Sequence, residues 1–132
     1  MRFRRSIGAA GTVLVVDSDD ALRRSVRAQL ESRDYVVLDA RGADGAVRIV
    51  RVYVGPIHLA LVELPSPAAA GRELAEALRA SHAESQVIYT GTRAQAELVR
   101  KRELTAGQPF LRKPFTEGQL FSRILEIQAK PQ

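Results

Sequence analysis

Thr12-Val13-Leu14-Val15-Val16-Asp17-Ser18-Asp19-Asp20 is the stretch that decides the fold. From Val13 to Val16 no polar residue interrupts the run, so neither face of this strand is built to meet water. A short, β-branched, uninterrupted apolar run marks a strand covered on both faces. It stops abruptly at four polar residues, of which Asp19 or Asp20 suits a helix N-cap. Leu22, Val26 and Leu30 then recur at helical spacing. A strand buried on both faces that passes directly into an amphipathic helix is the first unit of a layered α/β fold.

The same alternation runs outward from there. Tyr35 to Leu38 reads as a second strand, and Ala46, Val47, Ile49, Val50 and Val54 as a second helix ended by Gly55-Pro56. Leu59 to Leu64 is a third strand, broken into a loop by Pro65-Ser66-Pro67. Gly71 precedes a third helix with Leu74, Ala75 and Leu78 on one face, and Val87 to Tyr89 is a fourth strand. A helix spans about 93–104, Gly107 stops it, Phe110 and Leu111 form a short fifth strand, and Pro114 ends that. The last helix turns Leu120, Phe121, Ile124 and Ile127 toward the core. Strands alternating with helices imply a parallel sheet with helices on both faces.

Composition bounds the function. The chain has 132 residues, 45% of them hydrophobic and 27% charged, which suits one globular domain and no disordered tract. The absence of cysteine excludes a disulfide scaffold, a thiolate metal site and a thiol nucleophile, and fits a reducing cytoplasm. The net charge is +5, but basic residues such as Arg100, Lys101 and Arg102 alternate with acids such as Glu97 and Glu103. That pattern describes solvated helix faces, so nucleic acid is not expected as a direct partner. Arg2-Phe3-Arg4-Arg5 before an apolar run has the outline of a secretory signal. Here the run ends in acids and carries a core strand, so residues 1–11 are read as a basic extension, 12–129 as the domain and 130–132 as a tail. No run reaches transmembrane length.

In a parallel α/β sheet functional groups gather at the carboxyl ends of the strands. Those ends carry Asp17 and Ser18, Glu63, Thr90, and Lys113. Their order and spacing resemble the receiver domains of two-component signalling. Val13-Leu-Val-Val-Asp17 is similar to the family's first strand, and Glu63-Leu-Pro-Ser-Pro67-Ala-Ala-Ala-Gly71 to its acceptor loop. Tyr89-Thr90-Gly91 is similar to the hydroxyl followed by a small residue, and Phe110-Leu-Arg-Lys113-Pro114-Phe115 to the switch aromatic and the Lys-Pro-Phe motif. The resemblance covers about Thr12 to Ile127. It implies a flavodoxin-like, doubly wound, five-stranded parallel sheet, (βα)5, in the order 2-1-3-4-5. In the family a carboxylate attacks a phosphoryl group, a magnesium ion held by acidic oxygens offsets the charge, and the hydroxyl and lysine hold the product.

Two positions depart from that pattern. Glu63 stands where the acceptor aspartate belongs, and its extra methylene displaces the attack geometry; a shift of about 1 Å can cost a hundredfold. Ser18 replaces an acid that serves the metal. Asp17 is expected to pair with Lys113, while Asp19 and Asp20 are expected at the helix start, Asp19 being the residue that would stand in for Ser18 as a ligand. Glu63 has two readings: a built-in mimic of the phosphorylated state reaching Lys113 and Thr90, or an ion-paired carboxylate left after function was lost. Phe110, at the switch position, lacks a hydroxyl and is expected largely buried. His58 and His82 show no partner pattern and are read neither as bases nor as phosphate relays.

The resemblance, with these departures, implies a regulatory interaction module and no enzyme. The residual pocket comprises Asp17, Ser18, Asp19, Glu63, Thr90 and Lys113. No cofactor is expected, and magnesium only if Asp17 and Asp19 retain residual binding. The implied partner is a protein (a histidine kinase, an output domain or a regulator) met through the fourth helix, fifth strand and fifth helix, in the cytoplasm, with no membrane contact and homodimerisation left open. The alternatives are a working phosphoacceptor with an unusual acceptor residue, or a receiver fragment of a larger response regulator or hybrid histidine kinase. A plain small-ligand binder lacks support, because no Gly-rich phosphate loop follows the first strand.

Overall fold

The computed structural model describes residues 10–64, 68–100 and 109–129. Five strands alternate with five helices: β1 (Gly11–Val16), α1 (Asp20–Glu31), β2 (Tyr35–Ala40), α2 (Ala43–Val52), β3 (Leu59–Glu63), α3 (Ala68–Ser81), β4 (Gln86–Gly91), α4 (Arg93–Arg100), β5 (Phe110–Arg112) and α5 (Glu117–Ala129). All four strand pairings are parallel, in the order β2-β1-β3-β4-β5. This is the doubly wound, flavodoxin-like sheet that the sequence implies.

The interior strand β1 explains the layering. Every residue of β1 is buried, and alternate side chains enter different cores. Val13 and Val15 join Val26 and Leu30 of α1 and Leu120, Phe121, Ile124 and Ile127 of α5 on one face. Leu14 and Val16 join Ala46, Val47 and Val50 of α2 and Leu74, Ala77 and Leu78 of α3 on the other. The period of two in a strand sends neighbours to opposite faces, so a continuous apolar run serves two cores at once.

Three of the helix starts carry local side-chain bonds, while α2 begins at Gly42 without one. The Asp19 carboxylate accepts the Leu22 N–H and opens α1. Thr92 and Gln95 form a reciprocal capping box at α4, and Thr116 and Gln119 form another at α5.

Several expected boundaries move. β2, β4 and β5 each run one or two residues beyond their apolar runs, while β3 stops at Glu63. The Leu64 N–H still bonds the Thr90 carbonyl. Gly71 does not precede α3 but lies inside it, because three alanines, the strongest helix formers, carry the helix back to Ala68. Val54 does not belong to α2: Tyr53 turns extended at ψ 123° and Val54 stands 92% exposed. Gly55 follows at φ +116°, a conformation that favours glycine, and the turn into Pro56 forbids further helix. The loop 65–67, the segment 101–108 with Gly107, and the tail 130–132 lie outside the described residues, as does the extension except Ala10 and Gly11.

Candidate functional site

Parallel strands aligned in one sheet place their carboxyl ends side by side. Asp17 follows β1, Glu63 ends β3, Thr90 lies opposite Glu63 in the β3–β4 pairing, and Lys113 follows β5. The Lys113 backbone N–H bonds the Gly91 carbonyl, which extends the β4–β5 ladder and aims the lysine across the sheet end.

Lys113 Nζ lies 2.7 Å from Asp17 Oδ2 and 2.8 Å from Glu63 Oε2. The other Asp17 oxygen accepts the Asp19 N–H at 2.8 Å. Glu63 Oε1 accepts two bonds from Ser18, the backbone N–H at 2.9 Å and the hydroxyl at 2.8 Å. The β1–α1 turn that presents Ser18 is itself held: Arg23 Nη1 donates to the Asp17 carbonyl at 2.8 Å and Nη2 to Asp20 at 2.8 Å. Asp17 is buried at 5% exposure, whereas the Lys113 and Glu63 side chains keep 20% and 25%.

Burial alone would oppose the charge on Glu63, and it is the largest single influence there. The hydrogen bonds from Lys113 and from the Ser18 N–H and hydroxyl together outweigh it, so the carboxyl is held below its ordinary value. Lys113 behaves in the mirror sense. Burial presses its ammonium toward neutrality, but the bonds to Asp17 and Glu63 prevail and raise it above the usual lysine value.

The expected Asp17–Lys113 pair is therefore present, and Glu63 reaches Lys113. Glu63 does not reach Thr90: among the described residues no hydrogen bond joins them. Ser18 draws the carboxylate toward β1, and Thr90 stays beside it at 2% exposure. Phe110, expected to be largely buried, is partly buried. β5 is a three-residue strand at the edge of the sheet. A side chain at Gly91 would run into this ring and into Gln95, which accounts for the small residue after Thr90. His58 and His82 lie away from the pocket: His58 Nδ1 accepts the Thr12 N–H at 2.9 Å, and His82 Nε2 lies 3.1 Å from the Val50 carbonyl.

A divalent cation would need several free, charged oxygens. Both oxygens of Asp17 and both of Glu63 already face internal donors, an ammonium sits between them, and Asp19 is engaged as the α1 cap. Among the described residues no group of three or more metal-ligating side chains is assembled. The donor set suits the lysine it holds and does not fit magnesium as it stands. What sequence reasoning missed is Ser18: it was legible only as a missing ligand, yet it donates twice to Glu63.

The family model for the response regulator receiver domain matches residues 13–125. The sensor kinase CckA of Brucella abortus is 28% identical over 124 residues, which is 94% of this chain and 13% of that protein. A response regulator receiver protein from Burkholderia phymatum superposes with a TM-score of 0.73 at 22% identity, covering 91% of this chain and 96% of that one. The receiver domain of a hybrid histidine kinase CckA gives 0.68 at 24% identity, covering 88% and 97%. At such identities the structural likeness is one of fold. Among the described residues no helix is long and apolar enough to cross a membrane.

Proposed function

The chain belongs to the response regulator receiver domain family, and on that premise we propose that it is a regulatory interaction module whose state is not set by aspartyl phosphorylation. Receiver domains interact with histidine kinases and output domains, and this one is read as doing so in the cytoplasm. One observation carries the reading. The carboxylate at the acceptor position, Glu63, has both oxygens tied, one to Ser18 and one to Lys113. Ser18 fills both acceptor positions of Oε1 and Lys113 one of Oε2, so three donors from its own chain hold this longer carboxylate in place, and a nucleophile displaced by about 1 Å from its attack geometry can lose a hundredfold in rate. Magnesium binding is correspondingly weak or lacking, resting on Asp17 and Asp19 if it occurs.

The partner-binding face is assigned to α4, β5 and α5. An open groove of about 550 Å³ lined by Leu111, Arg112, Pro114, Thr116, Gln119 and Arg123, among others, supports the β5 and α5 part of this face, as do the half-buried Phe110 and Leu125, 63% exposed on α5. A second reading, a receiver that forms one part of a longer signalling protein, is favoured by the similarity to sensor kinase CckA, of which the chain spans 13%.

The test is intact mass after incubation with magnesium and a small-molecule phosphodonor. The natural protein is expected to gain no phosphoryl group, and the double substitution Ser18→Asp with Glu63→Asp to gain one. A phosphoryl group on the natural protein at Glu63 would sink the reading and make this a working acceptor.

A further inference from the structure

Ser18 and Glu63 come from different strand ends, 45 residues apart, and each departs from the receiver pattern. Taken singly, each is a loss; in space they meet. Three donors converge on one carboxylate: the Ser18 N–H at 2.9 Å and hydroxyl at 2.8 Å on Oε1, and the Lys113 ammonium at 2.8 Å on Oε2. The Lys113 contact has a charge-assisted length, and the two Ser18 bonds have ordinary ones.

We propose that Ser18 and Glu63 are one matched device, in which Ser18 and Lys113 form a cradle for a carboxylate and Glu63 fills it from within the chain. This rests on the reading of Glu63 as an inert occupant and says what holds it there. A hydroxyl can donate to a carboxylate, whereas an ionised acid at position 18 can only accept and would set like charge against Glu63. An aspartate at position 63 would fall short of Ser18 by one methylene, about 1.5 Å. Each residue therefore suits the other and would be out of place beside the family's usual partner. Arg23 steadies the cradle by bonding the Asp17 carbonyl just before Ser18. The ligand class that follows is a small carboxylate, because Glu63→Ala deletes the heavy atoms of acetate.

A double-mutant cycle by urea unfolding tests the pairing. Ser18→Ala is expected to raise the unfolding constant about five- to tenfold in the natural protein, and to leave it nearly unchanged in the Glu63→Ala background, where no acceptor remains. Ser18→Asp is expected to raise it about tenfold or more against Glu63, and to be close to neutral beside Glu63→Ala. The cradle is tested with acetate itself. Sodium acetate is expected to stabilise the Glu63→Ala protein saturably beyond sodium chloride at equal ionic strength, and to lose that advantage when Ser18→Ala is added. Additive costs in the cycle would overturn the pairing, and acetate no better than chloride would overturn the cradle. Both outcomes are separable from the fate of the functional reading, which the intact mass of the natural protein decides alone.

Discussion

Lys113 faces Asp17 at 2.7 Å and Glu63 at 2.8 Å, so one ammonium answers two carboxylates. The sign of the resulting pH dependence follows from the shifts. Glu63 is lowered from 4.5, so its contribution is present above that value and is lost as pH falls through the lower folded value. Lys113 is raised from 10.5, so its contribution is present below that value and is lost as pH rises through the higher folded one. In urea unfolding across pH, the stability gap between the natural protein and Glu63→Gln is expected to be widest at neutral pH and to close as pH drops below 4.5. A gap of constant size into the acid range would show that the ionised carboxylate contributes nothing. The pair Asp17–Lys113 was legible through the family resemblance and not through periodicity, because β1 and β5 are not neighbours in the sheet. Ser18 as a donor was not, since its role depends on a carboxylate 45 residues away that is one methylene longer than the pattern expects.

The helices show what periodicity can and cannot tell. Leu120, Phe121, Ile124 and Ile127 lie on one face of α5 by spacing alone, and all four are buried at 6% exposure or less. Spacing also enrolled Val54 in α2, but a valine past the C-cap has no core to enter, and hydrophobicity does not reveal where the backbone leaves the helix. Starts are better encoded than stops: Asp19, Thr92 with Gln95, and Thr116 with Gln119 each carry a side chain suited to bonding the first free N–H groups. Asp19→Ala is expected to cost about 1 kcal/mol through loss of the α1 cap, measured by thermal or urea unfolding with and without magnesium. If Asp19 serves the helix alone, that cost is the same in both conditions; a cost that grows with magnesium would assign the carboxylate to a metal.

At the scale of the whole sheet, the class of fold followed from alternating strands and helices, while the order β2-β1-β3-β4-β5 came only with the family resemblance, because periodicity carries no information on which strands are neighbours. The sheet is not equally protected across its width. β1 and β3 are flanked by strands on both sides and by helices on both faces, whereas β5 is an edge of three residues. Amide hydrogen exchange is therefore expected to be slowest at Val13–Val16 and Leu59–Val62 and fastest among the strands at Phe110–Arg112. Equal protection across all five strands would mean that the domain opens only as a single unit.

The two cores fed by β1 leave that strand without an internal guide to its own position. Sliding it by one residue would exchange Val13 and Val15 for Leu14 and Val16, still apolar on both sides, so hydrophobicity cannot tell a strand in step from one out of step. Its polar ends can. Thr12 bonds the His58 ring and backbone at one end, and Asp17 meets Lys113 at the other. A slipped strand would strand a buried carboxylate away from its ammonium. The pocket thus keeps count for the strand, an alignment mark for the centre of the sheet that owes nothing to phosphoryl chemistry.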